Sequence, residues 1–226
     1  MTGDARPGLR PAVVVMAEAA RPGQVRRALE PLVGPAGCAA LQSALILAAV
    51  TWAHDVAAGA VSVACDPADA ESEMRALLPA GTTVFPQTGE GIGPRVAEAT
   101  ARVLAGETRP VLVVWPDLPR LRPAHAAAAL GDLEAGCDLT LGPVIDGGFY
   151  LVGIDRQQPK LFALPDEAWR TSDVMGMALV AGQETGLEVG ILRAERALQR
   201  PADLRAALVD PTLAPELRGI LGSRAA

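Results

Sequence analysis

Apolar runs of strand length alternate along this chain with longer stretches of helical character. Residues 12–16 (AVVVM) form an unbroken, mostly β-branched run, the pattern of a strand buried on both faces. Residues 35–57 read as a long helix, with Pro35 near its first turn and Gly59 past its end. A second strand is expected at 60–64. Asp66 then suits a helix N-cap with Pro67 at the first helical position, for a helix through Leu78. A short third strand falls at 82–85. The glycine-rich stretch 87–95 (QTGEGIGPR) opens a helix through Leu104. Residues 111–115 (VLVVW) give the clearest central strand. A helix at 122–135 is closed by Gly136 and is followed by strands at 138–141 and 149–154 (FYLVGI). The pattern ends with a helix at 172–185, a strand at 187–192 and short helices at 201–208 and 214–221.

Strands alternating with helices imply an α/β fold with a mainly parallel sheet covered on both faces. In such sheets ligands bind beyond the carboxyl ends of the strands. The loops expected to carry function are therefore those at 17–24, 65–66, 87–93, 116–120 and 143–148. With no repeat, low-complexity tract or linker in the pattern, the expected organisation is a flexible segment at 1–11 followed by one domain over 12–226.

Composition narrows this picture. Half of the 226 residues are hydrophobic but only 3% are aromatic, so the core must be built from Ala, Val and Leu. The net charge of −6 disfavours non-specific nucleic-acid binding, which needs clustered cations. Lys160 is the sole lysine, which removes lysine from nearly every conceivable mechanism. Cys38, Cys65 and Cys137 have no CxxC spacing, so reduced core thiols in a cytoplasmic protein are expected rather than disulfides or zinc. The segment 1–11 has no apolar core of a signal peptide. The apolar stretch 39–50, interrupted by Gln42 and Ser43, reads as a buried helix and not as a membrane span.

Four stretches could carry chemistry. Asp117, flanked by Pro116 and Pro119, stands directly after the central strand. A carboxylate there can hold a divalent cation bridging phosphate oxygens, or simply start a turn or cap the next helix. Asp146 precedes Gly147 and Gly148, a pair that lets backbone approach a ligand or makes an Asp-Gly turn. The loop with Gly89, Gly91 and Gly93 matches neither a P-loop nor a Rossmann fingerprint, yet its amides could meet a base or phosphate. Arg21, Arg26 and Arg27 after the first strand could contact phosphate or lie on a solvated helix start. His54 and His125, inside helical stretches with no triad order, read as structural.

Taken together and in order, AEAARPGQVRRAL, QTGEGIGPR, VVWPDLPRL, LGPVIDGGFYLVG, AWRTSDV and RPADLRAAL resemble the DUF2064 family. That is a GT-A-like group of the nucleotide-diphospho-sugar transferase superfamily, and the resemblance spans about residues 12–208. It implies a three-layer fold, a nucleotide or nucleotide-sugar donor, a small-molecule acceptor, and Mg²⁺ or Mn²⁺ as cofactor. By the same resemblance Asp117 is the metal-bearing position and, with Asp146, the catalytic pair. Pro116, Gly147, Gly148, Trp169 and Thr171 are implied at the substrate. Ala17, Gly23, Arg26, Arg27, Gln87, Gly89 and Gly93 are implied at the nucleotide.

The chain also departs from the family pattern. Where F-A-K-A-P-x-P-G-x-V-K-T-R-L is usual, Glu18 replaces a lysine, Arg26 a second lysine and Ala28 an arginine. Gly91 replaces the aspartate of the base loop, and Ala197 and Gln199 replace two late carboxylates. Arg27 is a candidate substitute for the lost arginine, and Asp146 or Asp173 for a second carboxylate. The resemblance implies metal-dependent glycosyl transfer. Nucleotidyl transfer with release of pyrophosphate, and a non-catalytic binding role, are the alternatives the departures leave open.

Overall fold

The computed structural model describes residues 10–57, 59–105 and 110–222, so nearly all of the segment expected to be flexible lies outside the described residues. Among the described residues seven strands form one sheet: β1 (Ala12–Glu18), β2 (Val61–Asp66), β3 (Thr83–Pro86), β4 (Val111–Val114), β5 (Leu139–Pro143), β6 (Phe149–Ile154) and β7 (Val189–Ile191). Their order is β3-β2-β1-β4-β6-β5-β7. β6 runs antiparallel to β4 and β5, and every other pairing is parallel. The chain winds outward from β1 through β2 to β3, then returns to place β4 on the other side of β1. That reversal opens a crevice at the carboxyl ends of β1 and β4.

The helices are α1 (Glu30–Ala57), α2 (Glu71–Leu77), α3 (Ile92–Leu104), α4 (Pro123–Glu134), α5 (Pro159–Phe162), α6 (Val174–Thr185), α7 (Pro201–Val209) and α8 (Pro215–Gly222). The single-turn α5 had no counterpart in the sequence pattern. Gly34, at φ 71° and ψ 168°, breaks the first turn of α1, so the regular helix begins at Pro35 as the sequence predicts. The expected cap at Asp66 does not form. Asp66 ends β2, its Oδ2 accepts from Arg95 Nη1 at 2.9 Å, and a 3₁₀ turn over Ala68–Ala70 leads into α2 without a side-chain cap. A long-range cation outcompetes the local amide here.

Alternation along the strands makes two cores. Val13, Val15, Val63, Leu112 and Val114 face one side, packed on α1 and α4; Val14, Met16, Ala64, Val111 and Val113 face the other, packed on α3 and α6. The layers are thus helix, sheet, helix. α1 is apolar and long enough to cross a membrane by length and composition. Its faces are both covered: Ile46, Val50 and Ala53 pack on the sheet, while Leu41, Ala44 and Leu45 pack against Leu204, Leu217 and Leu221 of α7 and α8. Between these two covered faces a strip with Ala36, Ala40, Ala48, Thr51 and Asp55 stays exposed, so α1 is a core helix packed on two sides.

Leu45, fully buried between α1 and the carboxyl-terminal helices, tests this outer core. Leu45→Ala is expected to cost about 2–5 kcal/mol of unfolding free energy, read as a lower urea midpoint with an unchanged slope.

Candidate active site

Two adjoining clefts open at the crevice. The first, of about 350 Å³, is walled by the ends of β1 (Met16, Glu18) and β2 (Asp66), by Gln87 just after β3, by Arg26 and Arg27, by Ile92 and Arg95 of α3, and by Trp115, Pro116 and Asp117. The second, of about 330 Å³, is bounded by Asp146, Gly147, Gly148, Phe149, Trp169 and Arg200. Ile92, Trp115, Asp117 and Gln199 line both. Asp117 therefore stands where the two meet.

Arg26 organises the first cleft. It is the one non-glycine residue with positive φ among the described residues, at φ 49° and ψ 36°. Its side chain is 7% exposed and gives four hydrogen bonds: Nε to Gln42 Oε1 at 2.8 Å, Nη1 to Leu198 O at 2.7 Å, and Nη2 to Pro116 O at 2.8 Å and Asp117 Oδ1 at 3.0 Å. Gln42 is itself buried and passes the connection on, donating from Nε2 to Glu18 O at 3.0 Å. A left-handed backbone at a non-glycine residue costs on the order of 1–3 kcal/mol and persists when the surroundings over-determine it. Four acceptors on one guanidinium do so.

The carboxylates are engaged as well. Asp117 Oδ1 accepts from Arg26, Oδ2 accepts from Gln199 Nε2 at 3.4 Å, and the backbone carbonyl accepts from Leu198 N at 2.8 Å. Asp146 Oδ1 faces Arg200 Nη1 at 3.6 Å. As a donor set for Mg²⁺ or Mn²⁺ these residues do not fit. Both oxygens of Asp117 already accept from donors, one of them cationic, and among the described residues no three His, Cys, Asp or Glu side chains gather as metal ligands. Asp173 lies exposed beside α6, in neither cleft.

The other sequence-derived positions divide. Arg27, Gln87 and Pro116 line the first cleft, and Gly147, Gly148 and Trp169 the second. Gln87 donates from Nε2 to Ala64 O at 2.9 Å, which leaves its Oε1 as an acceptor. Ala17 is buried within β1, and Gly23 sits in an exposed turn at φ 75°; both lie outside the clefts. Gly89 and Gly93 serve close packing: a side chain at Gly93 would overlap the Phe162 carbonyl, and one at Gly89 would come within 3.0 Å of Pro94. The start of α3 already carries an anion, since Ile92 N donates to Asp166 Oδ1 at 2.7 Å. Thr171 is also outside both clefts; its hydroxyl donates to Ala168 O at 3.1 Å and accepts from Asp173 N at 3.3 Å.

Gln42, Trp115, Arg95 and Arg200 enter the site without having been singled out in the sequence. Gln42 did leave a signal, as a long polar side chain inside an apolar helix. Arg95 and Arg200 look like any surface arginine until Asp66 and Asp146 are placed beside them.

In α4, His125 accepts at Nδ1 from Arg122 N at 3.1 Å, and its Nε2 lies 3.3 Å from Glu195 Oε1. Its ring packs on Tyr150 with centroids 5.2 Å apart. Burial lowers the His125 pKa below its ordinary 6.5, and the hydrogen bond to Glu195 opposes this only in part. Neither histidine lines either cleft, and His54 Nε2 pairs with Thr82 Oγ1 at 2.9 Å.

Two outcomes are expected. Gly147, at φ 106°, has space for a Cβ only 2.6 Å from Thr171 O and 2.7 Å from Ser172 Cα, so Gly147→Ala should cost about 2–4 kcal/mol from backbone strain and overlap. Chemical denaturation measures it. His125 is held neutral in the fold, so the unfolded chain takes up its proton first as pH falls through about 6.5. Stability from this residue is present above that pH and is lost on the way down to the lowered folded pKa. The drop in Tm between about pH 7.5 and about pH 5.5 should be smaller in His125→Gln than in the parent.

Among solved structures, the fold is similar to that of a protein described as a "putative nucleotide-diphospho-sugar transferase" from Desulfovibrio desulfuricans G20. That match has a TM-score of 0.84 and 21% identity, over 95% of each chain. A 4-diphosphocytidyl-2C-methyl-D-erythritol synthase matches with TM-score 0.53 and 13% identity over 86% of this chain and 94% of its own. The inositol-1-phosphate CTP transferase from T. maritima matches with TM-score 0.51 and 14% identity over 96% and 97%. At such identities the likeness establishes the fold. No curated protein matches the sequence significantly. The profile of the family described as "Uncharacterized protein conserved in bacteria (DUF2064)" matches residues 49–169, which is 121 of 226 residues. The chain belongs to the DUF2064 family and has the nucleotide-diphospho-sugar transferase fold.

Proposed function

We propose that this protein is a transferase that seats a nucleotide-activated donor in the first cleft and a small-molecule acceptor in the second. The observation that carries the reading is the shared wall: Ile92, Trp115, Asp117 and Gln199 line both clefts, so groups bound in the two would meet at Asp117. Each cleft falls in the size range of small-molecule sites, about 300–1,000 Å³. The placement also follows the rule for open α/β sheets, with the ligand beyond the strand ends at the reversal of strand order.

Within this reading the nucleoside lies across the ends of β1, β2 and β3, where the free Oε1 of Gln87 accepts from a base N–H. The diphosphate reaches Arg27, which is exposed and has no carboxylate partner among the described residues. The acceptor lies on the apolar faces of Phe149 and Trp169, which pack edge to face at 6.0 Å, with Asp146 to accept from its attacking hydroxyl. Preorganised charge where the leaving diphosphate develops would be the main source of acceleration.

Glycosyl transfer from a nucleoside-diphosphate sugar fits the charge better than nucleotidyl transfer. Arg26 and Arg95 are already paired with Asp117 and Asp66, which leaves Arg27 as the surplus cation beside the phosphates. A diphosphate diester carries two negative charges and a triphosphate up to four. The names of two structural relatives, a diphosphocytidyl synthase and a CTP transferase, favour nucleotidyl transfer as the second reading.

A panel of nucleoside diphosphates, triphosphates and nucleotide sugars tests this by thermal shift. A bound donor at about 100 times its Kd should add about 2.7 kcal/mol to stability. Product analysis then separates the reactions, since glycosyl transfer releases a nucleoside diphosphate and nucleotidyl transfer releases pyrophosphate. A chain whose melting is unmoved by every nucleotide is not a transferase of either kind.

A further inference from the structure

We propose that the guanidinium of Arg26 occupies, at the end of β4, the place a divalent cation would take, so that the donor site works without a metal ion held by Asp117. The half of this that concerns nucleotide binding rests on the transferase reading; the half that concerns the cation does not.

A carboxylate beside a diphosphate repels it, and a cation between the two removes the repulsion. Arg26 already stands against Asp117, with Nη2 3.0 Å from Oδ1. A second cation entering there would face a fixed positive charge a few ångström away. It would also have to strip an acceptor from a guanidinium that is 7% exposed, which leaves a buried charge poorly compensated. Gln199 turns an amide donor toward the other oxygen.

Arg26 is not held there by Asp117 alone. Pro116 O beside Asp117, and Gln42 and Leu198 from two further segments of the chain, also fix it, and its backbone keeps a left-handed conformation to reach them. The charge is therefore preorganised, as an ion delivered with the substrate is not. A guanidinium has five N–H groups, and four are used. The remaining Nη1 hydrogen has no acceptor among the described residues, and Arg26 lines the first cleft, so we assign that hydrogen to a phosphate oxygen. Arg27, next in sequence, lines the same cleft and supplies an exposed second cation. One fixed and one free guanidinium thus take over neutralisation of the diphosphate.

The test is direct binding of Mn²⁺ to the protein without nucleotide, followed by electron paramagnetic resonance, in the parent, Arg26→Gln, Asp117→Asn and the double variant. The parent should take up Mn²⁺ no more tightly than Asp117→Asn does. Arg26→Gln, which removes the charge and keeps an amide donor, should bind Mn²⁺ at least about tenfold more tightly, and Asp117→Asn should cancel that gain. A simply structural role for Arg26 would not create a metal site. In parallel, a nucleoside diphosphate should shift the melting temperature of the parent equally in EDTA and in MgCl₂. The proposal is overturned if the parent binds Mn²⁺ through Asp117, or if EDTA abolishes the nucleotide shift. Should Arg26→Gln fail to fold, the comparison of the parent with Asp117→Asn and the EDTA arm each decide the matter. A nucleotide that shifts nothing in either buffer counts against the transferase reading alone, and Mn²⁺ binding then decides this proposal.

Discussion

The structure around the strand ends depends on satisfying one buried cation. Arg26 enters from the loop after β1 and meets acceptors on α1, on the loop after β4 and on the segment before α7. None of these pieces is near the others in sequence; the separations run from 16 to 172 residues. A guanidinium out of water must find acceptors or cost several kcal/mol, so wherever Arg26 goes the three segments must follow. The left-handed backbone at Arg26 shows which demand prevails: local conformational preference gives way to hydrogen bonding.

The same pair sets the character of the site. Held by Arg26 and Gln199, Asp117 is a fixed, charge-compensated carboxylate at the seam between two clefts. The second cleft owes its floor to close backbone approach. The β5–β6 hairpin turns through Gly147 and Gly148, with Val144 N donating to Gly148 O at 3.0 Å and Gly147 N to Val144 O at 3.0 Å. Gly147 lies so near the Thr171–Ser172 backbone that no side chain fits. Asp146 is thereby part of a tight turn and part of a cleft wall at once, so the two readings of the Asp-Gly-Gly stretch are not in competition.

Much of the fold was legible along the chain. The runs 12–16, 111–115 and 149–154 became β1, β4 and β6, with β6 matching at both ends. An unbroken apolar run of strand length has few other places to go than between two helical layers. α1 was legible as a buried helix for the same reason. The resemblance to DUF2064 and the placing of Asp117 and Asp146 at strand ends were also available from the order of motifs alone.

What the tertiary structure decided is which charges face each other. In sequence Arg26 stood among the arginines expected at phosphate, and Asp117 stood as a metal ligand; in space each is the other's partner. Asp66 suited a helix cap until Arg95 arrived from α3, and Gln199 registered as a lost carboxylate until its amide met Asp117. Local sequence fixes backbone tendencies because those are set by neighbouring residues. Ionic and hydrogen-bonded partnerships are set by distances between segments far apart in the chain, and those exist only once the sheet has brought β1, β4 and the loop before α7 to one edge.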